Sequence, residues 1–400
     1  MALLSRMHRV QEERDRLLAS GINPFGAAIE EIYSPTEARI GGRRVVLAGT
    51  NNYLGLTFDP ACMAAAREAL DRQGTGTTGS RMANGSFAGH RALELELAEF
   101  YGMAHAIVFS TGYQANLGMI AGLVGPGDVV VLDADCHASI YDGCRLAGVD
   151  VIRFRHNDVA GLDRRLRRLG DRRERTLVIV EGMYSMLGDR APLAQIVEAS
   201  KRHGVLLMVD EAHSLGVLGQ RGCGAVESEG VMDQVDFVVG TFSKSLGGIG
   251  GFCTSNHPEL EQIRYVSRPY IFTASPSPAV IAGTRAALAA LRDRPELRQR
   301  LWSNAERLYA RLAAAGYELG AEPSPVVAVM LDTREQALAL WQGLLEGGVY
   351  VNLVLPPATP GGKSLVRCSV SAAHSVEQID RIGDAFEALR AVAEARVAVE

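Results

Sequence analysis

Short apolar runs recur along the first two thirds of the chain, each followed by small, hydroxyl or charged residues and mostly then by a stretch of helical periodicity. Residues 106–109, 129–132, 151–154, 176–180, 205–209 and 236–239 have the length and bounding residues of buried strands. Strands alternating with helices in this way predict a mainly parallel sheet lying between helices. A further run, 251–254, predicts a strand of different orientation. The pattern then changes. Helices are expected at 258–266, from Pro276 or Pro278 to about Leu291, and at 297–315. Strands at 326–331, 350–354 and 364–369, with helices at 334–346 and 376–393, read as a smaller α+β domain. Near the start, an amphipathic helix spans 7–18 and ends by Gly21, and 39–48 reads as a hairpin turning at Gly41-Gly42. Asp59-Pro60 then opens a helix as N-cap and first helical residue. The expected architecture is α/β: an N-terminal segment 1–50, a large domain 51–280 around a mainly parallel seven-stranded sheet, and a small α+β domain 281–400.

Composition changes this picture little. The 400 residues are 47% hydrophobic and 22% charged with a formal net charge of -5, so no global charge draws the chain to nucleic acid or an anionic membrane. A local cluster of arginines between Arg164 and Arg175 is interleaved with Leu162, Leu166 and Leu169. That spacing reads as the solvated face of an amphipathic helix, the alternative being attraction of acyl-CoA phosphates. The six cysteines are scattered without C-x-x-C or Cys/His zinc spacing, so neither a disulfide framework nor a metal site is expected. No run approaches the ~18 apolar residues of a membrane span, and the charged N-terminus does not read as a signal peptide. The expectation is a cytoplasmic protein without an integral membrane segment.

Candidate chemistry gathers at strand ends. The predicted strand 205–209 delivers Asp210-Glu211-Ala212-His213, and 236–239 delivers the small-residue turn Gly240-Thr241-Phe242-Ser243-Lys244. One lysine among hydroxyls and glycines, with one acid at a neighbouring strand end, suggests a pyridoxal 5'-phosphate (PLP) site. The lysine amine would bond the cofactor aldehyde, and the acid would keep the pyridine nitrogen protonated. Two more strand ends offer His137 and Ser185, and ligands sit at the carboxyl ends of such strands. Gly112-Tyr113 follows another strand and opens a helix, which suits a phosphate. Tyr113 reads equally as a packing residue or a flank for a cofactor ring. Asn52, in the loop 49–56, reads either as a substrate contact or as ordinary loop. Arg367, on a predicted strand, is either a carboxylate clamp or half of a surface ion pair. The segment 74–81 is rich in donors but lacks the Gly-Lys-Ser/Thr ending of a Walker A loop.

Over nearly its whole length the chain resembles the α-oxoamine synthases, fold-type I PLP enzymes. The resemblance is carried by Asp210-Glu211-Ala212-His213-Ser214 and Gly240-Thr241-Phe242-Ser243-Lys244. Phe109-Ser110-Thr111-Gly112-Tyr113, His137-Ala138-Ser139-Ile140-Tyr141-Asp142-Gly143, Arg268-Pro269-Tyr270-Ile271-Phe272-Thr273-Ala274-Ser275 and Pro356-Pro357-Ala358-Thr359-Pro360 point to the branch that joins L-serine to palmitoyl-CoA. The resemblance implies that Lys244 bonds PLP, Asp210 pairs with the pyridinium and His137 stacks on the ring. It implies His213 and Ser185 near the ring hydroxyl, and Gly112, Tyr113, Thr241 and Ser243 at the phosphate. Thr273 would reach the cofactor phosphate of a second subunit, since such enzymes are homodimers with both sites at the interface. Asn52 and Arg367 would bind the substrate. The implied reaction condenses an amino acid with a long-chain acyl-CoA to 3-ketodihydrosphingosine, CoA and CO2, with peripheral contact to the inner membrane compatible with that product. The alternative is a sister synthase of the 8-amino-7-oxononanoate or glycine C-acetyltransferase type. One departure bears on that choice: Leu355 precedes the Pro-Pro-Ala-Thr-Pro loop, where the serine-using branch often has arginine.

Overall fold

The apolar runs become the seven strands of a central sheet, all largely buried except edge strand β3: β1 (His105–Phe109), β2 (Val129–Asp133), β3 (Asp150–Phe154), β4 (Thr176–Glu181), β5 (Leu206–Asp210), β6 (Phe237–Thr241) and β7 (Gly251–Ser255). The structure is a computed structural model that describes residues 2–19, 23–24, 26–356 and 358–394. The helix stop expected at Gly21 and the second proline of the 356–360 loop, Pro357, lie outside those residues. The spatial order is β1-β7-β6-β5-β4-β2-β3. Neighbours from β6 through β3 are parallel, and β7 is antiparallel to both β1 and β6. The different orientation expected of 251–254 is therefore present.

Alternate strand residues build the core. Ile107, Phe109, Val130, Leu132, Leu177, Ile179, Met208, Phe237, Val239 and Cys253 share one cluster with Met119 and Ile120 from helix Gly112–Leu123 and Ile140 from helix Ala138–Ala147. Period-two strands thus present one face to helices whose apolar stripe recurs at three to four residues. Each such fully buried aliphatic side chain contributes about 1.5–3 kcal/mol of transfer free energy. This packing fixes the two helices whose N-termini meet the strand ends. The sheet lies in a unit comprising Asn51–Ser303 and Ser371–Ala373.

A second unit comprises Met1–Thr50, Asn304–Val370 and His374–Glu400. The hairpin is present as Glu37–Ile40 and Arg43–Leu47, and its turn glycines have φ of 56° and 72°. Both are left-handed values that tight hairpin turns favour. A strand not expected from sequence, Ile29–Ser34, pairs with Glu37–Ile40. Its IEEIYS sequence is largely exposed and gives no alternating signal.

Three sequence expectations need adjustment. The single strand 350–354 is two: Val349–Tyr350 runs parallel to Arg43–Leu47, and Asn352–Val354 runs antiparallel to Ser364–Ser369. Buried Val351 separates them, so one apolar run serves two sheets. The loop 268–275 holds a helical turn at Arg268–Ile271, with Pro269 in its first turn. The helix expected over 376–393 breaks at Leu389 into Val376–Ala388 and Arg390–Glu394.

Candidate active site

Asp133, Glu181, Asp210 and Thr241 end four sheet strands, and one cavity of about 270 Å³ is lined by Glu181, Asp210 and Thr241 and by residues of the segments that follow β2, β5 and β6. Lys244, Asp210, His137, His213, Gly112 and Tyr113 all border it, as do Thr241 and Ser243. Ser185 and Thr273 are not among its lining residues. Ser185 lies half-buried on the loop after β4, and Thr273 accepts a 3.1 Å hydrogen bond at Oγ1 from Gln114 Nε2.

Asp210 is 4% exposed. Its Oδ1 accepts from the Ala212 N–H at 2.9 Å, and its Oδ2 accepts from Asn116 Nδ2 at 2.7 Å. The other Nδ2 hydrogen of Asn116 reaches Ser139 Oγ at 2.9 Å. Ser139 Oγ lies 2.7 Å from His137 Nδ1, which also accepts from the Ser139 N–H at 3.2 Å. Since Nδ1 is already an acceptor, the Ser139 hydroxyl donates to it, and the neutral imidazole carries its proton on Nε2. Burial, then the nearby Lys244 ammonium, pulls the His137 pKa below its ordinary value, although Asp210 opposes this. His137 therefore presents a neutral ring to the cavity while capping helix Ala138–Ala147.

Glu181 holds the same segment from below. It is 3% exposed, and its Oε1 accepts from the His137 N–H at 2.5 Å. Glu181 and Asp210 are paired across β4 and β5. Burial, then the adjacent Asp210 charge, pushes the Glu181 pKa well up.

Opposite lies a cradle of main-chain donors and hydroxyls. Thr111 Oγ1 caps helix Gly112–Leu123 by accepting from the Gln114 N–H at 3.0 Å. Thr241 Oγ1 donates to the Gly250 carbonyl at 3.0 Å and lies 2.9 Å from Ser243 Oγ. A Cβ at position 112 would stand 2.7 Å from Thr241 Cβ, so only glycine lets the helix start approach this turn. A helix N-terminus beside hydroxyls fits a phosphate. A buried carboxylate held by two N–H donors fits a protonated pyridine nitrogen. The residues present thus fit PLP at both ends.

The other candidates make contacts of their own, His213 and Tyr113 at the cavity border and Asn52 and Arg367 outside its lining. Tyr53 Oη is 2.8 Å from His213 Nδ1, with both side chains buried. Tyr113 is 43% exposed and donates to Asp142. Asn52 is buried and donates to Thr57 Oγ1 at 2.7 Å. Arg367 is 6% exposed on strand Ser364–Ser369, which removes the surface-ion-pair alternative. Sequence reasoning did not single out Asn116 or Glu181. Each left a signal: Asn116 is the last polar residue before the helix turns wholly small and apolar, and Glu181 ends a buried strand as Asp210 does.

Comparison with known proteins adds three findings. The family described as aminotransferase class I and II matches residues 43–386. The chain is 57% identical over 362 residues to serine palmitoyltransferase of Caulobacter vibrioides, covering 90% of each chain, and 52% identical over 389 residues to that of Sphingomonas paucimobilis, covering 96% and 92%. A solved structure of SPT with PLP as its internal aldimine superposes with a TM-score of 0.95 at 52% identity, covering 98% of this chain and 99% of that one.

Proposed function

The chain belongs to the aminotransferase class I and II family, and from that premise we propose how its residues divide the work of one reaction. It is a serine palmitoyltransferase, a PLP-dependent acyltransferase of sphingolipid synthesis that joins L-serine to palmitoyl-CoA. The observation that carries the assignment of roles is the convergence of Lys244, Asp210 and His137 on one cavity at the carboxyl ends of the strands.

Bound PLP supplies an aldehyde that takes up an amine and a protonated ring that drains charge from the amino acid's α-carbon. Lys244 Nζ holds the cofactor at rest. With serine bound, the Lys244 amine would be the base positioned to take the α-proton. Asp210 keeps the proton on the pyridine nitrogen, and Asn116 and the Ala212 N–H keep Asp210 aimed. His137, neutral and fixed through Ser139, covers the ring without adding a charge that would compete with the sink. Gly112, Tyr113, Thr241 and Ser243 take the phosphate, His213 and Ser185 the ring hydroxyl, and Asn52 and Arg367 the serine carboxylate. The deprotonated α-carbon attacks the thioester, CoA leaves as the thiol, and loss of CO2 is followed by reprotonation to 3-ketodihydrosphingosine.

The working form in this reading is a homodimer, with Thr273 directed to the cofactor phosphate of the partner subunit. Large apolar side chains around that loop favour a covered surface: Tyr265 is 67%, Val266 54% and Phe272 72% exposed. Among the described residues, no helix is long and apolar enough to cross a membrane. The reading puts the enzyme in the cytoplasm, with peripheral contact to the inner membrane where its product is used.

Borohydride reduction of the PLP-loaded protein followed by peptide mass analysis tests the site. The reduced cofactor is expected on the peptide containing Lys244. A label on another lysine would overturn the assignment.

A further inference from the structure

A second group of ionisable residues does not line the cavity and has no part in the chemistry above. His156 follows β3. Its Nδ1 lies 2.9 Å from Asp133 Oδ1, at the end of β2, and its Nε2 lies 2.6 Å from Asp189 Oδ2, on the loop after β4. Carboxylates only accept unless protonated, so an imidazole that serves two of them donates from both nitrogens and is the cation. Asp135 Oδ2 adds a third acid at 3.8 Å.

Asn157 completes the knot. Its main-chain N–H reaches Asp133 Oδ2 at 2.8 Å, and its Nδ2 reaches Asp189 Oδ2 at 3.0 Å and the Arg190 carbonyl at 3.1 Å. It holds a φ of 55°, a left-handed value that asparagine tolerates better than most residues. The rings of Tyr184 and His156 meet edge to face with centroids 4.4 Å apart. The Tyr184 N–H donates to the Asp189 carbonyl at 2.9 Å.

Both anchored loops carry residues of the proposed site. Asp133 leads within four residues to His137, and the loop pinned by Asp189 contains Ser185. We propose that His156 is a positioning residue for the reaction: as an imidazolium clamped between Asp133 and Asp189, it locks the segment bearing His137 to the segment bearing Ser185. The inference rests on the roles given above to His137 and Ser185. Its chemistry is self-consistent. Burial disfavours the charge, but the hydrogen bonds to Asp133 and Asp189 outweigh it and push the His156 pKa up to about 10. The clamp is closed across the neutral pH range.

The test uses the PLP-loaded protein with His156→Gln and Asp189→Asn. Hydrogen exchange is followed by mass spectrometry, and the visible circular dichroism of the bound cofactor is recorded beside the far-ultraviolet signal. In H156Q, exchange is expected to quicken on the order of tenfold in both 133–139 and 184–190, with 206–210 unchanged. In D189N the 184–190 segment is expected to loosen more than 133–139. Visible dichroism should fall in both variants while far-ultraviolet dichroism holds, because the ring tilts against His137 without loss of fold. If H156Q fails to fold, D189N alone decides. Wild-type exchange in both segments, or equal acceleration across every strand, would overturn the clamp. Loosening of the two segments in a protein that never condenses serine would support the clamp and defeat the activity reading instead.

Discussion

Asn116 Nδ2 stands 2.7 Å from Asp210 Oδ2 and 2.9 Å from Ser139 Oγ. One amide thus couples the acid proposed for the pyridine nitrogen to the histidine proposed for the ring face. Rotating that amide would set Oδ1 against a carboxylate and lose both bonds, so its orientation is determined. Asn116→Ala is expected to leave Asp210 with one donor and to weaken PLP binding by about tenfold or more, as for loss of a hydrogen bond to a charged group worth about 1.5–3 kcal/mol. Titration of the apo-protein with PLP measures this. An unchanged dissociation constant would remove Asn116 from the site.

Asp210→Asn keeps the shape of the side chain and removes its charge. Severe loss of turnover with PLP still bound is expected, because the pyridine nitrogen is no longer held protonated. Single-turnover kinetics with serine separates this from a binding defect. A rate equal to wild type would mean that Asp210 is not the ring partner.

How much of this was legible in the sequence follows from what each residue does locally. Most strands of the sheet were readable because they are buried on both faces and appear as apolar runs, edge strand β3 being the mostly exposed exception. Lys244, Asp210 and His137 were readable because each follows such a run. Asn116 and Glu181 were harder to find, since their partners lie 94 and 44 residues away. The His156 clamp was illegible for the same reason: Asp133, His156 and Asp189 come together only through the order β4-β2-β3. Strand Ile29–Ser34 escaped because its side chains are mostly exposed. The divided strand at 349–354 escaped because apolar content does not say which sheet a residue joins.

His137 gives a pH dependence of defined sign. Its pKa is depressed in the folded protein from an ordinary 6.5, by burial first and Lys244 next. Its neutral form therefore favours the fold above 6.5, and that contribution is lost as pH falls toward the depressed value. In cofactor-free protein, the Tm advantage of wild type over His137→Gln should be larger at about pH 7.5 than at about pH 5. A difference that does not change with pH would contradict the depressed pKa.

Arg367 and Leu355 bear on the amino acid. Arg367→Ala is expected to raise KM for serine on the order of tenfold or more, with a smaller effect on kcat, as for loss of a charge-assisted carboxylate contact. Leu355→Arg adds a second cation before the 356–360 loop and is expected to lower that KM. Steady-state kinetics at saturating palmitoyl-CoA checks both. A KM for serine unchanged in R367A would take Arg367 out of carboxylate binding.

The most direct test of the central claim is CoA-thiol release by the purified, PLP-loaded enzyme. L-serine, L-alanine, glycine and L-threonine are each offered with short and long acyl-CoAs, product masses are read alongside, and Lys244→Ala serves as the control. The account predicts release with L-serine and palmitoyl-CoA, a product of the mass of 3-ketodihydrosphingosine, and none in K244A. Release confined to another amino acid, or near wild-type release without Lys244, would contradict it.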